Sequence, residues 1–116
     1  MNMNMKSLRD PNRKPTHPGK LLREDILPAL KMSQTAFAEH LGVGRVTVSE
    51  VLLEKRAVSI DMAFLLAKML RSTPDFWLRM QLAYDLWEAR QRNAAKVAAV
   101  QALPRAVISG GQEAAS

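Results

Sequence analysis

The chain has 116 residues, a formal net charge of +6 and a sequence pI of about 10.2. This length suits one small domain with tails, and the basic balance favours a polyanionic partner such as nucleic acid or an acidic membrane surface. The absence of cysteine excludes disulfides, thiolate metal sites and cysteine catalysis. The sequence shows neither a secretory signal pattern nor an apolar stretch of membrane-spanning length, so we expect a cytoplasmic protein outside the membrane.

Residues 1–16 are expected to form a flexible basic arm. The segment carries four basic side chains, one acid and two prolines, which are Lys6, Arg9, Arg13, Lys14, Asp10, Pro11 and Pro15. Prolines discourage regular structure, and a solvated charged segment buries too little apolar surface to fold alone. The arm either remains solvated or becomes ordered on a partner, in a DNA minor groove or around a protein.

The first of five predicted helices begins near Pro18, after Thr16 or His17, because proline is favoured at the first helical position. Pro28 then falls inside the same helical pattern. Its missing N–H and fixed φ cost roughly 3 kcal/mol in a helix interior. We therefore expect the helix to break or kink near residue 27 or 28.

The second and third helices are separated by a short turn. Ser33 is placed to cap the second helix and Gly42 to end it, since glycine readily takes φ > 0. The third helix is expected from about Arg45 to Leu53. Two short helices joined by a turn of three or four residues with a glycine are typical of a helix-turn-helix, which presents its second helix to the DNA major groove.

The fourth and fifth helices complete a predicted all-α fold. Ser59 is placed to cap the fourth helix, and Thr73 followed by Pro74 is a strong start signal for the fifth. The fifth helix is expected to extend into the alanine-rich residues 93–103, ahead of a disordered tail. No strand of convincing length and no repeat is found, so the sequence predicts five helices with an extended C-terminal one.

The candidate DNA-binding face lies on the third helix. Small Ala38 permits a close approach of the two helices, and Val48 and Val51 are spaced to pack inward together. The outward face then carries Arg45, Val46, Ser49 and Glu50. These side chains match groups on base edges: arginine binds guanine O6 and N7, valine meets the thymine methyl, serine donates or accepts, and glutamate accepts from cytosine N4.

Candidate phosphate contacts surround that face. They are Gln34 with the first backbone N–H groups of the second helix, Thr47, Lys55 and Arg56. Such contacts position a protein on DNA without reading its sequence. The alternative is an ordinary corner between two helices with solvated surface charges. The register of the small, apolar and basic residues favours DNA binding.

The fifth helix carries a candidate dimer interface. Its surplus of apolar and aromatic residues consists of Phe76, Trp77, Met80, Tyr84 and Trp87. A core of this size hides only part of them, so the remainder is expected to meet a partner surface. Packing inside the monomer is the alternative, and the two uses can coexist on different faces of one helix. A dimer would place two recognition helices about 34 Å apart, one turn of DNA, on a palindromic site.

Signals for catalysis, metals and cofactors are weak throughout the sequence. The only histidines, His17 and His40, have no further ligand at metal-binding spacing. Ser49 with His40 lacks a nucleophile elbow and an orienting acid, and no glycine-rich phosphate loop occurs. We therefore expect a protein that is not an enzyme and that uses no metal or cofactor.

Three segments carry a resemblance to a known family: HPGKLLREDIL, SQTAFAEHLGVGRVTVSEVLLEKRAVS and MAFLLAKMLRSTPDFWLRMQLAYDLWEAR. Over about residues 15–90 the chain resembles the Xre/Cro-type helix-turn-helix proteins and, within them, the HigA/VapI-type antitoxin family. The most family-specific part is STPDFWLRMQLAYDLW at residues 72–87. The helix-turn-helix by itself is shared by very many repressors.

The resemblance implies a compact five-helix, lambda-repressor-like domain at residues 17–92, between the arm at 1–16 and a helical extension and tail at 93–116. It implies a homodimer that binds a palindromic operator, represses its own operon and neutralises a HigB-type toxin that cleaves mRNA. Stand-alone regulators without a toxin share the same likeness. A protein-interaction module, in which the helix-turn-helix is mainly scaffold, is a further alternative.

Gly44, Leu53 and Glu54 depart from the family pattern. Many members have serine or a similar cap in place of Gly44, and Asn-Gly in place of the other two. We therefore expect a weakly capped start of the third helix and an end that runs on into LEKR. The second departure affects where Lys55 and Arg56 lie.

Overall fold

The computed structural model describes residues 13–105, which form five helices and, within that range, no strand. Helix α1 is built from three consecutive segments: α-helical Pro18–Leu21, a π-helical turn Leu22–Ile26, and α-helical Leu27–Leu30. Helices α2, α3, α4 and α5 follow at Gln34–Leu41, Arg45–Leu52, Ile60–Leu70 and Pro74–Ala99. The predicted all-α, five-helix fold is confirmed.

Local signals fix most helix ends where the sequence places them. The hydroxyls of Ser33, Ser59 and Thr73 each accept a backbone N–H three residues further on, which satisfies a donor that the helix start leaves unpaired. Gly42 follows α2 with a φ of 79°, a conformation that glycine adopts without steric cost. Gly44 precedes α3 without a capping side chain, as expected.

Pro28 changes the geometry of α1 without ending it. The expected break near residue 27 or 28 is wrong as a helix end, because the helical backbone continues to Leu30. One turn earlier the helix widens, and the N–H of Leu27 bonds to the carbonyl of Leu22, five residues back. This wider turn accommodates a proline whose ring would clash with a carbonyl in a regular α-helical ladder.

The core lies where all five helices meet. Its largest fully buried side chains are Trp77, Phe37, Leu22, Leu52, Leu66, Val48 and Val51. The burial of Val48 and Val51 confirms the predicted inward face of α3, and Ala38 of α2 is buried beside them in the same cluster. Since side chains on opposite sides of a helix point apart, burial of these valines turns Arg45 and Val46 outward.

The start of α1 packs directly on the backbone of α3. Gly19 is buried, and a Cβ atom added there would lie 1.8 Å from the carbonyl oxygen of Val51. No side chain fits in that space, so the contact requires glycine. It fixes the second half of α3 against α1.

Helix α5 is a single 26-residue helix, which is roughly 39 Å long at 1.5 Å per residue. It passes the predicted domain boundary after residue 92 without interruption. It ends at Ala99, short of the expected end near Pro104. The predicted arm up to residue 12 and the predicted tail from residue 106 lie outside the described residues. In the described part of the chain, no helix is long and apolar enough to span a membrane.

Candidate nucleic-acid interface

A shallow groove lies between the first turn of α2 and the exposed side of α3. It is lined by Gln34, Thr35, Arg45, Val46, Ser49 and Glu50. The structure thus brings the four residues predicted to contact bases together with the predicted phosphate contact Gln34. Thr35 is an addition that sequence reasoning missed. Its position two residues after the cap Ser33 was the available signal.

The groove has the chemistry of base recognition. Val46 is 69% exposed, whereas Val48, two residues further on, is 1% exposed. Helix α3 is therefore sharply divided into a core side and a solvent side. The solvent side combines a guanidinium, methyl groups, a hydroxyl and a carboxylate, which match the distinct groups of the four base pairs in the major groove.

The first turn of α2 adds backbone donors beside the groove. The Ser33 hydroxyl accepts the N–H of Ala36 at 3.0 Å, and the preceding N–H groups have no partner within the helix. The aligned peptide dipoles also make this end of the helix positive. Gln34 is exposed there, and Thr47 is half-buried on α3. This arrangement suits an anionic oxygen at the edge of the groove.

Helix α3 ends at Leu52, so the expected continuation into LEKR is wrong. Glu54 turns the chain with a φ of 64°, in the left-handed region that few residues other than glycine adopt. Lys55 and Arg56 are exposed just beyond this turn. The N–H of Lys55 donates to the carbonyl of Glu50 at 2.9 Å, which ties the turn back to α3.

Arg56 forms an ion pair with Glu50. Its Nε donates to Glu50 Oε1 at 2.7 Å, and a terminal guanidinium nitrogen lies 2.6 Å from the same oxygen. A residue predicted to contact phosphate is thus bonded to one predicted to contact a base. Among the residues that line the groove, Arg45 carries the positive charge.

Arg23 of α1 clamps the C-terminal end of α3. Its guanidinium donates to the carbonyl of Leu52 and to the carboxylate of Glu54 at 3.3 Å. A third hydrogen bond, to Glu24 at 2.9 Å, and the bond to Glu54 raise the pKa of Arg23 above its usual value. A cation at this end satisfies an unpaired helix carbonyl and complements the helix dipole. Sequence reasoning missed this contact, which joins residues 29 apart.

Comparison with known proteins identifies the family. Residues 21–77 match the helix-turn-helix family. Antitoxin HigA-1 of Vibrio cholerae is 38% identical over 85 residues, which make up 73% of this chain and 80% of that protein. The chain belongs to the Xre-like helix-turn-helix family that includes the HigA antitoxins.

Two further proteins show how this HigA-type chain compares with its relatives. YbaQ of Escherichia coli K12, an uncharacterized helix-turn-helix-type transcriptional regulator, is 42% identical over 81 residues, 70% of this chain and 72% of its own. The structure of Pseudomonas aeruginosa antitoxin HigA with the higBA promoter has a TM-score of 0.73 and 32% identity, and the match covers 78% of this chain and 99% of that one.

The predicted dimer residues of this HigA-type domain fall into two groups. Trp77 is 1% exposed, and its Nε1 donates to the Ser72 hydroxyl at 2.9 Å. Its placement at a dimer surface is therefore corrected: Trp77 belongs to the core. The remaining residues lie on a partly exposed side of α5, where Phe76 is 44% exposed and Met80, Tyr84 and Trp87 are half-buried.

Lys14, at the end of the predicted arm, packs against that side of α5. Its Nζ lies 5.3 Å from the ring centroid of Tyr84 and 5.5 Å from that of Trp87. The same nitrogen is 3.6 Å from the carboxylate of Glu88. Cations attract the faces of aromatic rings, so this contact is favourable. It covers part of the aromatic surface that the sequence offers to a dimer.

A second apolar surface was missed by sequence reasoning. A groove between α4 and α5 is lined by Phe64, Leu78 and Leu82 with Pro74, Asp75 and Arg79. Phe64 is 60% exposed and Leu82 is 58% exposed. Leu78, Leu82 and Leu86 recur every four residues along α5, which was the available signal.

His17, and not Thr16, caps α1. It is 2% exposed, its Nδ1 accepts the N–H of Gly19 at 2.9 Å, and its ring meets that of Tyr84 edge-on with centroids 4.8 Å apart. Burial lowers the pKa of His17 below its ordinary value of 6.5. The ring is then neutral and able to accept. Among the described residues, no group of three metal-ligating side chains is present.

Gln81 anchors the loop between α3 and α4 to α5. It is 5% exposed, its Oε1 accepts the N–H of Val58 at 2.9 Å, and its Nε2 donates to Asp85 at 3.0 Å. Val58 is itself buried, so without Gln81 its N–H would lack a partner. This contact was also missed, because it joins residues 23 apart.

Proposed function

We propose that this chain is a HigA-type antitoxin that binds its own operator as a homodimer, represses its operon and neutralises a HigB-type toxin that cleaves mRNA. It would do so in the cytoplasm. The observation that carries the proposal is the groove at the corner of α2 and α3, which gathers Arg45, Val46, Ser49 and Glu50 along one surface. The Pseudomonas aeruginosa relative, an antitoxin with its higBA promoter, supports DNA as the partner.

In the proposed complex, α3 lies in the major groove. Arg45 donates to guanine O6 and N7, Val46 meets a thymine methyl, and Ser49 donates or accepts. Glu50 carries acceptors alone and pairs with the amino group of cytosine. The combination favours one short base sequence in each half of the operator.

The proposed phosphate contacts flank α3 on both sides. Gln34 with the first N–H groups of α2, Thr47 and Lys55 would position the domain without reading sequence. The net charge of +6 attracts the chain to DNA, and physiological salt screens this attraction over a length of about 8 Å. Arg56 was predicted in the same group, and in the structure it is paired with Glu50.

The proposed homodimer uses the partly exposed side of α5. Phe76, Met80, Tyr84 and Trp87 remain its candidate residues, without Trp77. Aromatic and methionine side chains are enriched at the centres of protein interfaces. Two copies would present their α3 helices to successive major grooves on one side of the DNA.

The DNA part is tested by fluorescence anisotropy on a labelled duplex taken from the promoter of the chain's own gene. A shuffled duplex of equal length and base composition is the control. We expect the promoter duplex to bind at least about 1,000-fold more tightly at physiological salt. Equal affinity for the two duplexes would contradict the proposed repressor function.

The toxin part needs a functional partner. The tagged chain is purified from its own cells at native expression, and any small basic protein recovered in equal amount is expressed alone and together with this chain. Arrest of growth by that protein alone, and rescue by this chain, is the expected result. A dimer recovered without such a protein would contradict the antitoxin role.

A stand-alone regulator is the second candidate function. The similarity to YbaQ, a protein described only as a transcriptional regulator, favours it. This candidate shares the predicted operator binding and lacks the toxin, so the growth experiment separates the two. A protein-interaction module would instead give weak, sequence-independent DNA binding beside tight partner binding.

A further inference from the structure

The ion pair between Glu50 and Arg56 connects the groove to the turn after α3. Glu50 lines the groove, and its side chain is 40% exposed. Arg56 lies outside α3, and its side chain is 52% exposed. Exposed ion pairs contribute little to stability, so the consequence of this one is sought in the position of the Glu50 carboxylate.

The geometry leaves Glu50 able to bind DNA while it is held. Both nitrogens of Arg56 contact the same oxygen, Oε1. The second oxygen, Oε2, is then oriented with the carboxylate and can accept a hydrogen bond from a base. Two contacts from one planar guanidinium restrict Oε1 more than a single contact from a lysine would.

The turn that carries Arg56 is itself fixed. The N–H of Lys55 bonds to the carbonyl of Glu50, and Arg23 bonds to Leu52 and Glu54. The backbone between Glu50 and Arg56 is therefore tied to α3 and to α1. Arg56 can hold Glu50 in one place because its own attachment point is held.

An unpaired carboxylate in this position would be a liability on DNA. It would face phosphates of the same charge and the acceptor groups of guanine and thymine. A neighbouring guanidinium offsets the charge and leaves the second oxygen of the carboxylate to accept a hydrogen bond from an amino group. A glutamate held this way discriminates for cytosine better than a mobile one.

We infer that Arg56 is a positioning residue that orients Glu50 for recognition of a cytosine amino group, and that it is not a phosphate contact. The inference rests on the proposed function, since it requires a preferred DNA sequence. In this inference Glu50 contacts the base and Arg56 contributes to the base preference without touching the base. It also removes Arg56 from the phosphate contacts.

The test begins with selection of binding sequences from random DNA by the wild-type chain and by Glu50→Gln. Glutamine pairs with adenine N6 and N7, so Glu50→Gln should change the preference from cytosine to adenine at one position of the half-site. That position identifies the base pair that Glu50 reads. A wild-type chain without any preferred sequence would refute the proposed function, and this inference would fall with it.

Arg56→Ala is then measured alone and in the Glu50→Gln background, on the selected site and on the site with that base pair changed. Alone, it should reduce the preference for cytosine about five-fold or more. In the Glu50→Gln background it should change the base preference less than about two-fold, because the charged carboxylate is gone and glutamine offers Arg56 only a neutral acceptor oxygen. Arg56→Lys should recover part of the preference.

Lys55→Ala is the matched control for a phosphate contact. It should weaken binding to all sequences equally and by the same factor in both backgrounds. The same uniform loss with Arg56→Ala would overturn the inference and return Arg56 to the phosphate contacts. Unchanged cytosine preference in Arg56→Ala would also overturn it. Thermal melting of each variant confirms that it is folded.

Discussion

The two ends of α3 are held in different ways. At its start, Gly44 offers no capping side chain, and the neighbouring Arg45 is exposed. At its end, Arg23 bonds to the Leu52 carbonyl, and Gly19 allows α1 to contact the Val51 carbonyl. Helix α3 is therefore anchored at its C-terminal end by α1 and begins at an exposed, uncapped N-terminal end.

This difference indicates that the contacts at the C-terminal end of α3 set the orientation of the proposed DNA-reading face. The residues that would touch DNA need exposure, so they cannot also fix the helix through burial. The fixing contacts at the end of α3 come from α1, and Gln81 of α5 holds the loop that follows α3. Changes at the anchored end should affect folding strongly, whereas changes at the open end should affect stability little.

Gly19→Ala is expected to have the largest effect. The added Cβ would lie 1.8 Å from the Val51 carbonyl oxygen, so α1 and α3 must separate. Overpacking against backbone should lower the free energy of unfolding by about 3 kcal/mol. Gly44→Ala is the comparison: its Cβ would meet Thr47 Oγ1 only at 4.0 Å, so it should lose only the difference between glycine and alanine at a helix N-cap, about 1 kcal/mol or less. Urea denaturation measures both, and equal small losses would show that the close approach of α1 and α3 is unimportant.

Gln81→Met is expected to come next. Methionine keeps most of the packing volume but leaves the buried N–H of Val58 without an acceptor. An unsatisfied buried donor costs about 1–3 kcal/mol. Arg79→Met, on the exposed side of the same helix, should change the free energy of unfolding by less than about 0.5 kcal/mol. A similar small change for Gln81→Met would mean that the loop after α3 needs no anchor on α5.

Most of the helix boundaries could be predicted because their signals are local. Ser33 and Ser59 act on N–H groups three residues away, and Gly42 acts through its own φ. The spacing of Val48 and Val51 was enough to predict which side of α3 faces the core. The four α3 side chains that line the groove follow from that choice.

The anchoring contacts could not be predicted because they join distant residues. Arg23 and Leu52 are 29 residues apart, and nothing in either neighbourhood indicates the other. Trp77 was misplaced for a related reason: an apolar stripe on α5 does not show which part of it faces the other helices. The break expected at Pro28 assumed a regular α-helix, whereas the turn before Pro28 is π-helical and accommodates the proline.

A pH dependence should follow from His17, which caps α1 beside the anchored end. Its pKa is lowered by burial, so the unfolded chain binds a proton more readily than the folded one. Stability should be complete above the ordinary pKa of 6.5 and should decrease as pH falls below it, until the folded pKa is passed. Denaturation midpoints between pH 7.5 and about 5 measure this loss.

His17→Asn is the matched variant for that experiment, since asparagine can cap the helix without titrating in this range. The decrease below pH 6.5 should be smaller in this variant. His40→Asn, a change of the exposed histidine, should leave the wild-type decrease in place. If His17→Asn loses as much stability at low pH as the wild type, the pH dependence comes from other groups.

Gly44→Ser is expected to have the smallest effect and the opposite sign. A serine hydroxyl at the N-cap can accept an N–H of the first turn of α3, which glycine cannot. The gain over glycine should be a few tenths of a kcal/mol. Thermal melting in parallel with the wild type measures it, and a clear loss of stability would show that the turn before α3 requires glycine.

The most direct test of the central claim is the effect of Arg45→Ala on sequence preference. Affinities for the selected operator, for its single-base variants and for random DNA are measured at one salt concentration. If the exposed side of α3 reads bases, the variant should lose about 1–3 kcal/mol of discrimination at one base position and keep it at the others. Equal weakening on operator and random DNA would contradict the account, because Arg45 would then contact only phosphate.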